Sequence, residues 1–380
     1  MPNELEKSLE RLRKIESPEA PILSVYLSLH PEQKEWRSIQ PRLRNLLEPG
    51  EVLAASGDLD HDSSMELRSE MEAVMEMAST FERVSGAGVA VFLCDSIGLN
   101  ERLTIPGRVW DCAVVGPAPY LRPLQAVLDE HRKIGVVVLD SRRAEVLVYH
   151  MDELLDRQII EVEELRKTNL AGWHGLEEHR HRQHGEEVRN HLLRVVAEML
   201  GQLRRQLDIE LAFVGGQRAV TEALLPFLEP RLQAITEQFV ADLPTLTLAS
   251  LSKRIADLEE SYERREESNA VDEVYSLSAA GRLGAIGIDR VSQAANRHAI
   301  ARLLLHDGAV MEGSVCPTCG AISRRTDTCL ECGAPTRPLA DVLEALSRAV
   351  GEAGGSIEHV MTETRLAHDV VAARLRFDPW

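Results

Sequence analysis

Four cysteines, Cys316, Cys319, Cys329 and Cys332, form two Cys-x-x-Cys pairs (CPTCG and CLECG) with nine residues between them. That spacing offers four thiolates to one tetrahedral Zn²⁺ with little intervening chain to order. A glycine follows each pair, Gly320 and Gly333, and suits the tight turn that aims backbone N–H groups at sulfur. A redox dithiol or two disulfides are the other chemistries open to these side chains; the paired knuckles and Pro317 favour zinc. The expectation is a zinc ribbon over residues 314–336, with these four cysteines as metal ligands and Zn as the cofactor. The remaining cysteines, Cys94 and Cys112, lie in apolar, strand-like runs and read as buried thiols. Such cysteine usage reads as a reducing, cytoplasmic chain.

The segment Leu170–His184 (LAGWHGLEEHRHRQH) is the second group with chemical potential. It connects a strand pattern to a helix pattern, and long connections in compact domains tend to carry function. Gly172 and Gly175 allow a sharp bend around Trp173 and His174, and His179, Arg180, His181 and Arg182 follow. Guanidinium planes, imidazoles and one aromatic ring are the groups that stack on and pair with structured RNA. These eight residues are the candidate RNA contacts. Two other readings stay open: a helix start whose charged face is solvated, with Glu177 and Glu178 partly cancelling the charge, and a metal site made by the histidines. Further on, Gly215-Gly216-Gln217 follows the apolar strand Leu211–Val214 and opens a helix. Two glycines there are ordinary turn chemistry, although their N–H groups could also hold a phosphate. No nucleophile elbow or P-loop lysine motif is present, and no catalytic residue stands out.

The elements that must position these groups are legible in outline. With 380 residues and 44% hydrophobic content, two or three globular domains are expected. Aromatics are only 4%, so aliphatic side chains and methionine fill the cores. No apolar run approaches the roughly 20 residues that span a bilayer, and Met1–Ile15 lacks the apolar centre of a signal peptide. A net charge of −18 argues against general coating of nucleic acid and leaves only a local basic patch for that purpose.

The patterning gives an α/β chain of three domains. Residues 1–132 carry strands at Ile22–Leu29, Gly88–Cys94 and Val109–Val115, with an apolar helix face of Leu67, Met71, Val74, Met75 and Ala78. Residues 133–250 read β-β-β-loop-α-β-α, the loop covering 166–185, one helix facing inward through Leu192, Val196, Met199 and Leu203, and another covering Ala219–Ile235. Residues 251–380 begin with a long charged helix, solvated over Glu259–Glu267. They continue as an α/β/α domain into which the ribbon is inserted between a strand and a helix.

In this order the segments resemble the archaeo-eukaryotic class 1 release factor and Pelota superfamily. The resemblance is strongest to its bacterial branch, which includes the ribosome hibernation factor Balon. It rests on the strand order of the middle domain, on Ala279–Gly308, on the position of the cysteine insertion and on the terminal Ala373–Phe377. It implies a ribonuclease-H-like middle domain and a ribosome-binding translation factor, with ribosomal RNA of the A site and elongation factor Tu as partners and no membrane. The family's catalytic GGQ belongs in the long loop, where this chain has Gly172-Trp173-His174-Gly175. A non-catalytic hibernation role is therefore the first expectation, with residues 170–184 near the peptidyl transferase centre. The alternative is a peptidyl-tRNA hydrolase or release factor of ribosome rescue, in which Gln183 would orient a water.

Overall fold

The computed structural model describes residues 4–17, 20–29, 39–56, 59–81, 88–106, 109–130, 132–151, 153–161 and 176–380; over 176–185 the description is of the backbone alone. The fold is mixed α/β with several sheets. The chain divides into two compact units, residues 131–261 and residues 2–130 together with 262–380. Among the described residues no helix is long and apolar enough to cross a membrane.

The N-terminal part contains α1 (Glu4–Leu12), β1 (Ile22–Ser28), α2 (Ile39–Ser56), α3 (His61–Phe81), β2 (Gly88–Cys94), β3 (Leu99–Ile105), β4 (Cys112–Gly116) and α4 (Arg122–Glu130). Its sheet runs β3-β2-β1-β4, and every strand pair is antiparallel. β1 and β2 are buried along their whole length, which explains why both are continuous apolar runs instead of alternating ones. Leu23, Val25 and Leu27 face Leu43, Leu67, Met71 and Val74 of α2 and α3. On the other face Tyr26 meets Phe92 and Tyr120 edge-on. Met71 is therefore core, as its helical spacing predicts.

The 131–261 unit holds β5 (Ile134–Leu139), β6 (Arg143–His150), β7 (Glu153–Glu161), α5 (Leu176–Leu207), β8 (Leu211–Gly216), α6 (Arg218–Leu224), α7 (Pro230–Ala234) and β9 (Thr236–Val240). Its sheet runs β7-β6-β5-β8-β9. The first three strands form an antiparallel meander, while β8 and β9 add in parallel beside β5. Chain order β5 to β7 walks outward, so α5 must carry the chain back across the sheet to place β8 against β5. Ala219–Ile235 is not one helix. Pro226 and Pro230 break it into α6, a 3-10 turn and α7, because a proline removes a backbone donor and clashes with the preceding turn. β9 follows, a strand that the composition of its five residues does not announce.

α8 (Leu248–Ala279) is one helix of 32 residues. The solvated stretch expected at Glu259–Glu267 is corrected at two positions, because Glu263 and Glu267 are buried. Glu267 accepts the Thr362 N–H at 2.7 Å and pairs with Arg264 at 2.6 Å, which supports a carboxylate away from water. After it come β10 (Gly284–Ile286), α9 (Ile288–Asn296), β11 (Ile300–His306), β12 (Gly313–Val315), β13 (Ile322–Arg324), β14 (Arg337–Leu339), α10 (Val342–Glu352), β15 (Ser356–Val360), α11 (Leu366–Asp369) and β16 (Val371–Leu375). The larger sheet, β10-β16-β11-β15, is covered on both sides. Leu303 and Leu305 pack with α9 and α10, whereas Leu304 packs with Val271 and Val274 of α8.

One buried polar joint ties the N-terminal sheet to α10. Arg122, fully buried, donates to the Asp341 carboxylate, and the Tyr120 hydroxyl donates to the same oxygen at 2.9 Å. Tyr120 is held in turn by its N–H to Ser24 Oγ at 3.0 Å, and its carbonyl accepts the Tyr26 hydroxyl at 2.7 Å. The other Asp341 oxygen caps α10 by accepting the Leu343 N–H at 3.1 Å.

Two outcomes follow. Asp341→Ala removes the carboxylate hydrogen-bonded to the buried Arg122 and a helix cap, so urea unfolding should register a loss of about 3–5 kcal/mol. Gly215→Ala would place a methyl 2.2 Å from the Phe239 ring, and the forced shift should cost about 1–3 kcal/mol in the same measurement.

Candidate functional site

The two Cys-x-x-Cys pairs fold as a matched pair of knuckles. In the first, the Gly320 N–H donates to the Cys316 carbonyl and the Cys316 N–H donates to the Ala321 carbonyl, both at 2.9 Å. In the second, the Gly333 N–H donates to Cys329 at 3.0 Å and the Cys329 N–H donates to Ala334 at 2.8 Å. Both glycines have φ of +75°, a left-handed conformation that a side chain would strain. The small sheet β13-β12-β14 sets the knuckles side by side.

All four sulfurs lie within 4.8 Å of one another, so this cluster could hold a metal ion. Cys316 and Cys332 approach to 3.5 Å, and Cys319 and Cys329 to 3.6 Å. Backbone N–H donation from Cys319 holds the Cys316 thiol down at about 6, below the usual thiol range. The thiols hydrogen-bonded around them push Cys319 up to about 12 and Cys332 upward as well, so without a cation the four sulfurs do not all carry charge together. The ribbon is fastened to its domain by Asn296, at the C-terminal end of α9. Its amide accepts the Ile322 N–H at 2.8 Å and donates to the Ile322 carbonyl at 2.9 Å, as a neighbouring strand would. Ile322 and Val342 join the domain core, so the sulfur cluster and the packing of α10 are mechanically connected.

The second group of candidates divides. Gly172, Trp173, His174 and Gly175 lie outside the described residues. His179, Arg180, His181 and Arg182 fall on the backbone of α5, which begins at Leu176. The expected loop over 166–185 is therefore corrected for its last ten positions, which are helical. The run Leu176–Gly185 contains only one glycine and no proline, so nothing in it interrupts a helix that the following apolar face supports. Glu186 and Glu187 are exposed, and Leu192 is the first α5 side chain in the core among those described. From Leu176 to Leu192 the helix rises roughly 24 Å at 1.5 Å per residue.

Gly215 and Gly216 close β8 and are sheet backbone. A Cβ on Gly215 would strike Phe239, and one on Gly216 would lie 2.4 Å from the Leu139 carbonyl oxygen. Close packing accounts for both glycines. Only Gln217, exposed ahead of α6, projects from this tripeptide.

A further gathering of ligand-type side chains escaped the sequence. Glu66 and Glu70, one turn apart on α3, meet Cys94 at the end of β2, again within 4.8 Å. An i,i+4 carboxylate pair is too common to signal a site, and its tertiary partner is 24 residues further along the chain.

Cys329→Ser removes one of the four sulfurs. Elemental analysis should show lower bound metal than in the wild type, and thermal unfolding should show a loss above about 2 kcal/mol, on the scale of a lost structural metal.

Residues 119–258 match the family model described as bacterial archaeo-eukaryotic release factor family 10. No curated protein matches the sequence. Among solved structures, an archaeal translation termination factor is 16% identical, with 98% of this chain and 97% of that one covered and a TM-score of 0.26. Archaeoglobus fulgidus Pelota is 16% identical over 74% of this chain and 77% of its own, with a TM-score of 0.33. Archaeal Pelota in a ribosome-bound model with ABCE1 is 17% identical over 76% and 77%, with a TM-score of 0.43. Scores below 0.5 leave these as distant likenesses without weight for fold or function. The matched segment takes in all of β5 to β9 together with α5, and over residues 119–258 the chain is similar to bacterial archaeo-eukaryotic release factor family 10.

Proposed function

We propose that this chain is a ribosome-binding translation factor whose α5 carries residues 170–184 to ribosomal RNA in the A site, and that it acts in hibernation without hydrolysing peptidyl-tRNA. The observation that carries this reading is the length of α5 ahead of Leu192, its first core side chain among the described residues. A helix that only returned the chain from β7 to β8 would need no more than its Leu192–Leu207 portion. The additional turns hold His179, Arg180, His181 and Arg182 on a protein of net charge −18. Arg180, Arg182 and the neighbouring imidazoles, beside Glu177, Glu178, Glu186 and Glu187, are the groups offered to RNA by a chain that RNA otherwise repels, which favours local docking over general coating. Trp173, flanked by Gly172 and His174-Gly175, is the stacking group in this proposal.

The remaining assignments belong to the same proposal. Residues 1–132, 133–250 and 251–380 are its three domains, the second ribonuclease-H-like in strand order. Zn²⁺ is the ion of Cys316, Cys319, Cys329 and Cys332, since four thiolates in tetrahedral reach suit it best. Its role there is structural, because four protein ligands leave no position for a substrate. Elongation factor Tu is the proposed protein partner. Non-catalytic action is supported by Gly215-Gly216-Gln217, whose glycines are explained by contact with Phe239 and Leu139.

Sucrose-gradient sedimentation with ribosomes tests the reading. Wild type should co-sediment, and added salt should release it, as expected where cationic side chains contact phosphate. Arg180→Ala/Arg182→Ala should weaken binding at least tenfold with unfolding unchanged, two phosphate or base contacts being lost. Unaltered binding by the double variant would remove the helix projection from the interface. Peptide release that is present in wild type and absent in Gln183→Ala would instead establish a hydrolase.

A further inference from the structure

The Glu66, Glu70 and Cys94 cluster lies apart from both the ribbon and α5. Glu70 is only 2% exposed. One of its oxygens accepts the Asp95 N–H at 2.9 Å, and the other, Oε2, is buried with no hydrogen-bond partner. The Glu66 carboxylate, half-buried one turn earlier, accepts both the backbone N–H and the hydroxyl of Ser96. The Cys94 sulfur, buried, lies 4.0 Å from Ser17 Oγ and 3.9 Å from the Ala20 carbonyl and accepts the Ile97 N–H. The charged groups that face Glu70 are Glu66 and Asp95, both acidic. Burial pushes the Glu70 carboxyl up to about 7. A buried carboxylate oxygen without a donor, beside a second carboxylate and a thiol, costs free energy that a cation would remove.

We propose that Glu66, Glu70 and Cys94 form a second divalent-cation site, selective for a borderline-soft ion such as Zn²⁺. Two carboxylate oxygens and one sulfur make three ligands, and the fourth position is left to water on the side where Ser96 is exposed. Zinc bonds of about 2.0–2.3 Å would need ligand atoms roughly 3.5 Å apart, so the cluster closes by about 1 Å through side-chain rotation. Binding releases the Cys94 thiol proton, and that of Glu70 where it is protonated, to solvent; affinity therefore rises with pH. The ion would join α3 to the end of β2.

The full-length chain, saturated with Zn²⁺ and desalted, tests this by metal-to-protein ratio. Glu70→Gln keeps the acceptor for Asp95 N–H in the same volume, and Cys94→Ala removes only the thiol. Each should hold one equivalent less than wild type, while the ribbon cysteines are untouched in all three proteins. In the Co²⁺-loaded chain, Cys94→Ala should also lower the thiolate-to-cobalt absorption. Equal metal content in wild type and Glu70→Gln would overturn the site, whether or not Cys94→Ala folds. So would wild-type cobalt absorption in a folded Cys94→Ala.

Discussion

The packing of Leu192, Leu193, Val196, Leu200 and Leu203 against the β5-β6-β8 face is the interaction on which the functional reading depends. It fixes α5 to the sheet from Leu192 onward, while just ahead of it Glu186 and Glu187 are exposed and Val188, Arg189 and Asn190 half-buried. In the proposed reading, burial from Leu192 onward anchors the helix whose earlier turns carry the charged residues. The parallel addition of β8 to β5 demands such a crossover, and the close approach of Gly215 to Phe239 and of Gly216 to Leu139 holds β8 in register between β5 and β9. The glycines that resemble a catalytic motif thus serve the sheet that anchors the helix.

A different balance governs the other unit. Its apolar cores are separate, one under α2 and α3 and others on the two faces of the β11 sheet. Arg122, Tyr120 and Asp341 connect them through buried hydrogen bonds. Asp341 is the acceptor for both Arg122 and Tyr120, so its removal strands both, and the joint specifies one arrangement more than it adds stability. The ribbon enters the same domain through Ile322 and Asn296, so an ion bound among its four sulfurs would support α10 as well as its own loops.

Much of this was legible in the sequence where chemistry and spacing coincide. Cys316, Cys319, Cys329 and Cys332 meet as their spacing requires, because short knuckles leave few alternatives. The apolar strands β1, β2, β5, β6 and β11 were readable for the same reason: buried strands need continuous hydrophobic runs. Elements set by tertiary context were not. β3 alternates polar residues on an exposed face, and β9 depends on Phe239 finding Gly215. The start of α5 was misplaced because the charged, histidine-rich run Leu176–Gly185 lacks the apolar period that announces a helix. Glu263 and Glu267 looked solvated by composition and are buried by their partners. Glu66, Glu70 and Cys94 come together only through folding, and no local pattern joins a helix turn to a strand end.

Electron cryomicroscopy of the full-length protein bound to ribosomes tests the central claim most directly. The account predicts density for the N-terminal turns of α5 and residues 170–175 in contact with ribosomal RNA, with Trp173 stacked on a base. A bound complex in which that segment folds back onto its own sheet, and another surface meets the RNA, would contradict it.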